Sequence, residues 1–223
     1  MIRIKNLHKY FYRGEAREVH ALKNINLTIE DGEFTLLSGP SGCGKSTLLN
    51  LIGALDSVDE GKIFFGEDEV SGLDQSSKTT LRLERIGFVF QAYNLVPVLS
   101  VAENIAFIMR LRDFDEDFIQ QRVAELAKLL DIEDKLTSLP NNLSGGEQQR
   151  VAVARAVASK PKIILADEPT ANLDSKNSQI LIDMMKELNE KEGITIIFAS
   201  HDEMVEKSVR RIVKMYDGEI VDA

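Results

Sequence analysis

The sequence predicts an α/β protein in which a parallel sheet is covered by helices. Short apolar segments alternate with helix-forming segments along the chain, and such alternation is typical of parallel strands joined by helical crossovers. A glycine-rich loop at residues 39–46 lies directly between one such strand and one such helix. From residue 91 to residue 159 the apolar positions are spaced by three and four, which indicates a helical subdomain.

Each element follows from a local pattern. Alternating apolar residues indicate strands at 2–7 and 19–29, and short apolar runs bounded by turn residues indicate further strands. The strands predicted from such runs are 34–38, 63–65, 86–90, 163–166 and 195–199. Helices are predicted over 46–55 and 175–190. A hairpin turn at Asp217-Gly218 is predicted to join strands 212–216 and 219–221.

Composition and charge exclude several classes of protein. Of the 223 residues, 43% are hydrophobic and 28% are charged, as in ordinary globular proteins. The net charge of −9 argues against nucleic acid or an anionic membrane surface as the main partner. Cys43 is the single cysteine, so no internal disulfide can form and a reducing compartment is favoured. No apolar run approaches the roughly 18 residues of a membrane span, so a membrane role requires a partner protein.

The glycine-rich loop has the pattern of a phosphate-binding loop. It follows a strand and opens a helix, which is the context that the pattern requires. Its backbone N–H groups and the helix dipole attract a phosphate, while Lys45 is expected to contact β- and γ-oxygens and the Ser46 hydroxyl to bind Mg²⁺. The predicted nucleotide contacts are Gly39, Pro40, Ser41, Gly42, Cys43, Gly44, Lys45, Ser46 and Thr47.

An acidic strand end supplies candidates for catalysis. The strand at 163–166 is apolar throughout, so only its end can present acids to a site. Asp167 is expected to support Mg²⁺ through water, and Glu168 to act as the general base that polarises the attacking water.

A second glycine pair begins another predicted helix, at Leu143-Ser144-Gly145-Gly146-Glu147. Ser144 is placed to cap that helix, and Glu147 lies at the spacing of a capping box. In a functional interpretation, the N–H groups of Gly145 and Gly146 are also expected to face an anion. Because the first loop already wraps its own ligand, the economical candidate for this anion is the ATP of a second subunit.

Together these motifs resemble those of the ATP-binding subunits of ABC transporters, from Met1 to about Val221. In that family, two subunits enclose two ATP molecules between the glycine loop of one and the signature loop of the other. The resemblance implies a RecA-like P-loop NTPase core with an antiparallel β subdomain over 1–90 and 160–223, and an inserted α-helical subdomain over 91–159. It also implies a homodimer across two ATP–Mg²⁺ and an integral membrane permease as partner, which would hold the chain at the cytoplasmic face of the cell membrane.

The resemblance assigns further roles by motif. Gln91 matches the glutamine loop, where its amide can reach Mg²⁺ or water. Asp174, in Ala171-Asn172-Leu173-Asp174, matches the loop that crosses the dimer seam. His201 matches the switch histidine, which would hydrogen-bond the γ-phosphate and orient Glu168.

Two assignments keep alternatives. The family stacks a tyrosine on adenine near the N-terminus, and here the spacing puts Phe11 in that position; Tyr10 or Tyr12 takes the role if the register differs by one. Residues 93–100 are apolar for a connecting segment. They correspond to the region that receives a permease's coupling helix, but burial in the helical subdomain explains their composition equally well.

Within the family, residues 85–91 and 95–97 resemble the branch of lipoprotein-release, macrolide-export, haem-export and cell-division ATPases. This implies an ATPase that powers a separate permease in export or lipoprotein release. The alternative is a regulatory ATPase that transmits a signal to a membrane complex without transport. Chromosome-structure and DNA-repair ATPases share the motifs but insert long coiled coils where this chain has only about a hundred residues.

Overall fold

The structure of the protein is a computed structural model, and it describes residues 1–223 apart from the side chain at position 203. The strands are β1 (Ile2–Phe11), β2 (Val19–Ile29), β3 (Phe34–Ser38), β4 (Glu60–Phe65), β5 (Asp68–Glu69), β6 (Ile86–Phe90), β7 (Ile163–Asp167), β8 (Thr195–Ser200), β9 (Arg211–Tyr216) and β10 (Glu219–Asp222). The helices are α1 (Lys45–Ile52), α2 (Gln75–Arg85), α3 (Val101–Leu111), α4 (Glu116–Leu129), α5 (Gly145–Ala158), α6 (Ser175–Glu192) and α7 (Glu203–Ser208).

The chain divides into two compact units. The first unit comprises Met1–Arg82 and Thr195–Ala223, and the second comprises Leu83–Ile194. These boundaries differ from the subdomain limits predicted from sequence, 1–90 with 160–223 and 91–159, which stay a prediction. Among the described residues, no helix combines the length and the apolar character needed to cross a bilayer.

The first unit contains an antiparallel sheet and a group of parallel strands. The antiparallel sheet has the order β2-β1-β4-β5, and β3 pairs in parallel with both β8 and β9. Every residue of β3 and β8 is buried, which is typical of parallel strands covered on both faces. Ser38 lies opposite Ser200, so the chain leaves both strands at the same edge of the sheet.

The second unit combines β6 and β7 with the helices α3 to α6. The two strands are parallel, with Phe90 opposite Asp167, so they also end side by side. Helices α3, α4 and α5 pack on one another, and α5 also packs on β6. Buried aliphatic residues of α5, such as Val151 and Val153, contribute to this core.

The predicted strands and the closing hairpin are confirmed, while several limits move. Strand β1 extends to Phe11, beyond the predicted limit at residue 7. The alternation did not show this extension because the pairing of β1 with β2 is irregular between Ile4 and Tyr10. Helix α1 ends at Ile52, before Gly53 and the left-handed Ala54, rather than at residue 55. The segment 91–100 precedes the first helix of the predicted helical stretch and is not itself helical.

Candidate functional site

The glycine-rich loop of residues 39–46, in the first unit, is held against neighbouring backbone at two of its glycines. A Cβ added to Gly39 would lie 2.2 Å from the carbonyl oxygen of Met215, and one added to Gly44 would lie 2.9 Å from that of Ala21. Both glycines also have positive φ angles, 152° and 105°. Only a residue without a side chain fits here, so the loop is seated tightly on β2 and β9.

The loop opens directly into the N-terminus of α1. Gly44 caps this helix without a side-chain hydrogen bond, and helix N-termini attract anions. The buried Lys45 donates from Nζ to the carbonyl oxygens of Gly39 at 2.7 Å and Pro40 at 3.2 Å. Of the other predicted contacts, Pro40, Ser41, Gly42 and Ser46 are exposed, Gly39, Gly44 and Thr47 are half-buried, and Cys43 is buried. A cation and an exposed hydroxyl therefore flank one helix end, which suits a bound triphosphate.

His201 follows β8 at the sheet edge where the glycine-rich loop follows β3. The pairing of Ser38 with Ser200 brings these two chain segments side by side. The Ser38 hydroxyl donates to the Glu206 carboxylate, which ties α7 to the strand before the loop. Asp202 caps α7 by accepting from the Met204 N–H at 2.8 Å. The exposed His201 is therefore fixed between a buried strand and a capped helix.

The second unit brings Gln91 and the two acidic residues to one edge. Phe90 lies opposite Asp167, so Gln91 and Glu168 leave the ends of β6 and β7 as neighbours. Gln91 is exposed, and both carboxylates are half-buried. Glu168 has a φ of 45°, a left-handed conformation that is unfavourable for a residue with a side chain. Strained backbone of this kind is concentrated at functional sites.

The predicted capping box at the start of α5 is confirmed. The Ser144 hydroxyl accepts from the Glu147 N–H, and the Glu147 carboxylate accepts from the Ser144 N–H at 2.7 Å. The Ser144 N–H, followed by the Ser144 hydroxyl that donates to the same carboxylate at 2.8 Å, lowers the pKa of Glu147 below its ordinary value. The box uses the Glu147 N–H and leaves those of Gly145 and Gly146, which have no acceptor within the helix. The first turn of α5 is thus suited to an anion.

Asp174 begins α6 in the same unit. Its carboxylate accepts from the Asn177 N–H at 2.8 Å and from the Asn177 side chain at 3.0 Å, and the N–H lowers the pKa of Asp174 most. Asn177 also lies next to Gly145 and Gly146, the glycines of the signature loop, because a Cβ added to Gly146 would lie 3.1 Å from the Asn177 Oδ1. The loop before α6 therefore adjoins the start of α5.

Residues 22–171 match the sequence profile of a family described as ABC transporter. The chain belongs to the ABC transporter family. It is 45% identical over 222 residues to an uncharacterized ABC transporter ATP-binding protein of Methanocaldococcus jannaschii, covering 100% of this chain and 98% of that protein. The resemblance inferred from the motifs is confirmed, and the chain is an ABC-type ATPase that serves as an ATP-binding subunit.

Two further ABC relatives are informative. The macrolide export ATP-binding/permease protein MacB of Mannheimia succiniciproducens is 42% identical over 222 residues, which are 100% of this chain but only 34% of that protein. The lipoprotein-releasing system ATP-binding protein LolD 1 of Chlorobium chlorochromatii is 40% identical over 200 residues, 89% of this chain and 81% of that protein. The predicted branch of the family is therefore also confirmed.

A solved ABC cassette confirms the α/β P-loop NTPase fold. It is a dimeric ATP-binding cassette in a post-hydrolysis state, bound to ADP and Pi. The similarity has a TM-score of 0.91 at 41% identity and covers 100% of this chain and 97% of that one.

The aromatic residues at the end of β1 differ in their surroundings. The ring of Tyr10 stacks on His20, with centroids 4.1 Å apart, and the Arg13 guanidinium lies 4.4 Å from its centre. The Arg17 guanidinium lies 3.8 Å from the centre of the Tyr12 ring. Phe11 is 38% exposed and Tyr12 is 51% exposed, and the Lys9 ammonium lies 5.5 Å from the centre of the Phe11 ring. Phe11 and Tyr12 are thus both accessible at this end of the chain, whereas the Tyr10 ring is stacked on His20.

The apolar segment 93–100 is fixed at its base and exposed at its tip. The buried Asn104 accepts from the Val96 N–H at 2.8 Å and donates to the carbonyls of Val96, Leu99 and Ser100. Val98 is 79% exposed, so burial in the helical subdomain does not account for it. The segment is thus a surface loop that is hydrogen-bonded to Asn104 at its base and has an apolar tip.

Sequence reasoning did not single out Arg155 or give roles to Tyr93 and Asn172. Arg155 donates to the carbonyls of Tyr93 and Asn94, and Asn172 donates to that of Gln91. These bonds run to backbone oxygens far away in sequence, and no residue pattern signals such bonds. Asn172 belongs to the Ala171–Asp174 motif, in which the sequence assigns a role only to Asp174.

Proposed function

We propose that two copies of this ABC ATPase close head to tail over two ATP–Mg²⁺ and thereby drive a separate membrane permease in export or release. The observation that carries this proposal is the first turn of α5. Its capping box uses the Glu147 N–H and leaves the Gly145 and Gly146 N–H groups for an anion. The glycine-rich loop is a complete phosphate cradle by itself, so the anion at α5 is the γ-phosphate of the partner's ATP.

ATP is held by residues of the first unit. The loop N–H groups bind the phosphates, and Lys45 exchanges its bonds to the Gly39 and Pro40 carbonyls for bonds to phosphate oxygens. Phe11, exposed at the end of β1, stacks on adenine. Cys43 is buried, and it contributes its backbone N–H rather than its thiol.

Hydrolysis requires a base and a group that keeps the γ-phosphate in position. Glu168, held in a left-handed conformation beside Gln91, polarises the attacking water. His201 hydrogen-bonds the γ-phosphate from the sheet edge that also bears the glycine-rich loop. Asp174 and the capped start of α6 lie at the seam between the two copies.

The donor set fits Mg²⁺. Ser46 supplies a hydroxyl, Gln91 an amide oxygen and Asp167 a carboxylate, and such oxygen ligands are those that Mg²⁺ prefers. When bound, Mg²⁺ neutralises charge on the β- and γ-phosphates. The exposed Ser46 and Gln91 would hold the ion, and the half-buried Asp167 would support it through water.

The permease contact is the segment 93–100. Its exposed Val98 provides an apolar contact, and Asn104 holds its base rigid enough to transmit a displacement. The similarity to a lipoprotein-releasing ATP-binding protein and to a macrolide export protein supports a role in release or export. The chain then works at the cytoplasmic face of the membrane, bound to the permease rather than to nucleic acid.

Comparison of three variants tests the enzymatic part. Lys45→Ala should lose ATP binding, measured with a fluorescent ATP analogue. Glu168→Gln should bind ATP normally but hydrolyse it about 10²–10⁴ times more slowly, because it lacks the positioned base. The control Glu133→Gln removes an exposed carboxylate and should retain both properties. Normal hydrolysis by Glu168→Gln would contradict the assignment of the base.

A pull-down with a tagged candidate permease tests the transport part. The wild-type chain should copurify with the tagged permease, and Val98→Asp should not, although it still binds ATP. In proteoliposomes, the assembled complex should move a substrate in an ATP-dependent manner. ATP-dependent changes in the complex without any movement of substrate would instead establish the regulatory function.

A further inference from the structure

The glutamine loop, residues 91–94, has a backbone that needs external support. Tyr93 and Asn94 are consecutive left-handed residues, with φ angles of 60° and 50°. The Asn94 N–H donates to the Ala92 carbonyl at 2.6 Å, which closes a very tight turn. Left-handed backbone is unfavourable for residues with side chains and persists where surrounding contacts impose it.

Arg155 of α5 supplies that support. Its Nη1 donates to the Asn94 carbonyl at 2.6 Å and its Nη2 to the Tyr93 carbonyl at 3.0 Å. A planar guanidinium can bridge two successive carbonyls in this way, whereas the single ammonium of lysine cannot reproduce its fork. The Arg155 guanidinium is therefore directed at the glutamine loop.

Tyr93 links the same loop to the signature glycines. A Cβ added to Gly145 would lie 2.8 Å from the Tyr93 hydroxyl, and the next atoms are the Tyr93 Cζ at 3.8 Å and the Asn172 carbonyl oxygen at 3.9 Å. Asn172 in turn donates to the Gln91 carbonyl at 2.9 Å. The glutamine loop, the signature loop and the loop before α6 thus form one contact network inside the second unit.

The contacts with α5 are widely separated. Tyr93 meets the helix at its first residue, and Arg155 lies ten residues further, about 15 Å along the axis at 1.5 Å per residue. A loop attached at two distant points of a helix cannot shift at one point without moving the other. A displacement of the glutamine loop is therefore carried by the whole helix.

We propose that Arg155 is a positioning residue that couples the glutamine loop to the signature loop. Seating of Gln91 at its own nucleotide then sets the position of Gly145 and Gly146, which receive the partner's ATP. The two ATP sites of a closed pair are linked through α5. This inference rests on the proposed head-to-tail function. It adds that Arg155 couples the two ATP sites of the pair.

The first test substitutes Arg155→Lys, which keeps the charge and removes the fork. The control Arg110→Lys alters an exposed arginine of the same unit, which pairs with the exposed Glu116. Arg155→Lys should bind the fluorescent ATP analogue within twofold of wild type and melt within a few degrees of it, but its kcat should fall at least tenfold. The Hill coefficient for ATP should approach one. Arg110→Lys should match wild type.

The alternative is a structural role for Arg155. Loss of nucleotide affinity, melting temperature and kcat together in Arg155→Lys would overturn the proposal, as would a kcat and Hill coefficient equal to those of wild type.

The second test combines Arg155→Lys with Glu168→Gln and measures ATP-dependent dimerisation. The double variant should need at least tenfold more ATP than Glu168→Gln for half-maximal dimer. Equal ATP requirements would overturn the role of Arg155 but would not contradict the proposed function. Failure of Glu168→Gln itself to dimerise would overturn the proposed function, and the inference with it, so the two failures are distinguishable.

A rescue experiment tests the contact with Gly145. Gly145→Ala should displace the Tyr93 ring and lower kcat, because the added methyl meets the hydroxyl at 2.8 Å. Adding Tyr93→Phe removes that oxygen and leaves the ring at 3.8 Å, an ordinary contact, so part of the lost kcat should return. If Tyr93→Phe lowers the kcat of Gly145→Ala further instead, the proposed contact is wrong.

Discussion

A buried ion pair in the second unit predicts a large and specific loss of stability. Arg122 on α4 is 2% exposed, and its Nη2 lies 2.7 and 2.8 Å from the two carboxylate oxygens of Glu192, at the end of α6. The same side chain donates to the carbonyls of Val157 and Ala158 at the C-terminus of α5. Arg122 of α4 therefore connects α5 to α6. Helix α5 follows the signature loop, and α6 follows the loop that contains Asp174.

Arg122→Met removes the charge while keeping an aliphatic side chain. Breaking a buried pair on one side costs about 3–5 kcal/mol. Glu192 is 19% exposed and can regain some water, so the expected cost is about 3 kcal/mol. For a domain of this size, that loss corresponds to a fall in Tm of roughly 6–12 °C. Pairing Arg122→Met with Glu192→Met should restore part of the loss, because the largely buried Glu192 carboxylate is then not left without a partner. Glu125, the other carboxylate that pairs with Arg122, is 60% exposed and can be solvated by water.

Thermal unfolding followed by far-UV circular dichroism measures these shifts. The control Arg110→Met breaks the pair with Glu116, in which both side chains are about half exposed, and should cost less than about 1 kcal/mol. Equal Tm values for Arg122→Met and Arg110→Met would refute the reasoning. A double variant less stable than Arg122→Met would refute the account of the unpaired carboxylate.

Two further predictions concern the glycine-rich loop and the capping box. Gly39→Ala should prevent ATP binding or folding, because its Cβ would meet the Met215 carbonyl at 2.2 Å; Gly42→Ala meets nothing within 4 Å and should cost only about 1 kcal/mol for its positive φ. Soluble yield and binding of a fluorescent ATP analogue distinguish these outcomes. Because the pKa of Glu147 is lowered in the folded chain, its stabilisation is present above the ordinary glutamate pKa and is lost as pH falls through the lowered value. The stability advantage of wild type over Glu147→Gln should therefore be full at pH 6 and shrink below about pH 4.5 in urea titrations, and a constant difference would contradict the role of the charge.

The sequence predicted the elements whose pattern is local. Strands β3, β7 and β8 are mainly apolar because β3 and β8 are buried along their whole length and β7 is buried as far as Ala166. The start of α5 was predictable because Ser144 and Glu147 form a capping box from residues three apart. In such cases the physical cause lies within a few neighbouring residues.

Other features depend on partners that no local pattern reveals. Helix α2 escaped prediction because only Lys78 and Leu81 are buried, so its apolar spacing is too sparse to indicate a helix. The bonds from Arg155 to Tyr93 and Asn94 join residues about sixty positions apart and end on carbonyl oxygens, which every residue possesses. The nucleotide-binding motifs could be predicted from the sequence, but the contacts that connect them are visible only in the structure.

The central claim, that the signature loop completes the ATP site of a second copy, is tested most directly by the mass of Glu168→Gln in solution. Light scattering after size exclusion should give a monomer without nucleotide and a dimer with Mg-ATP, because this variant binds ATP but hydrolyses it slowly. Ser144→Arg in the same background should bind ATP and remain monomeric, since its bulk and charge disturb the start of α5. A Glu168→Gln chain that binds ATP yet stays monomeric, or a Ser144→Arg chain that still dimerises, would contradict the claim.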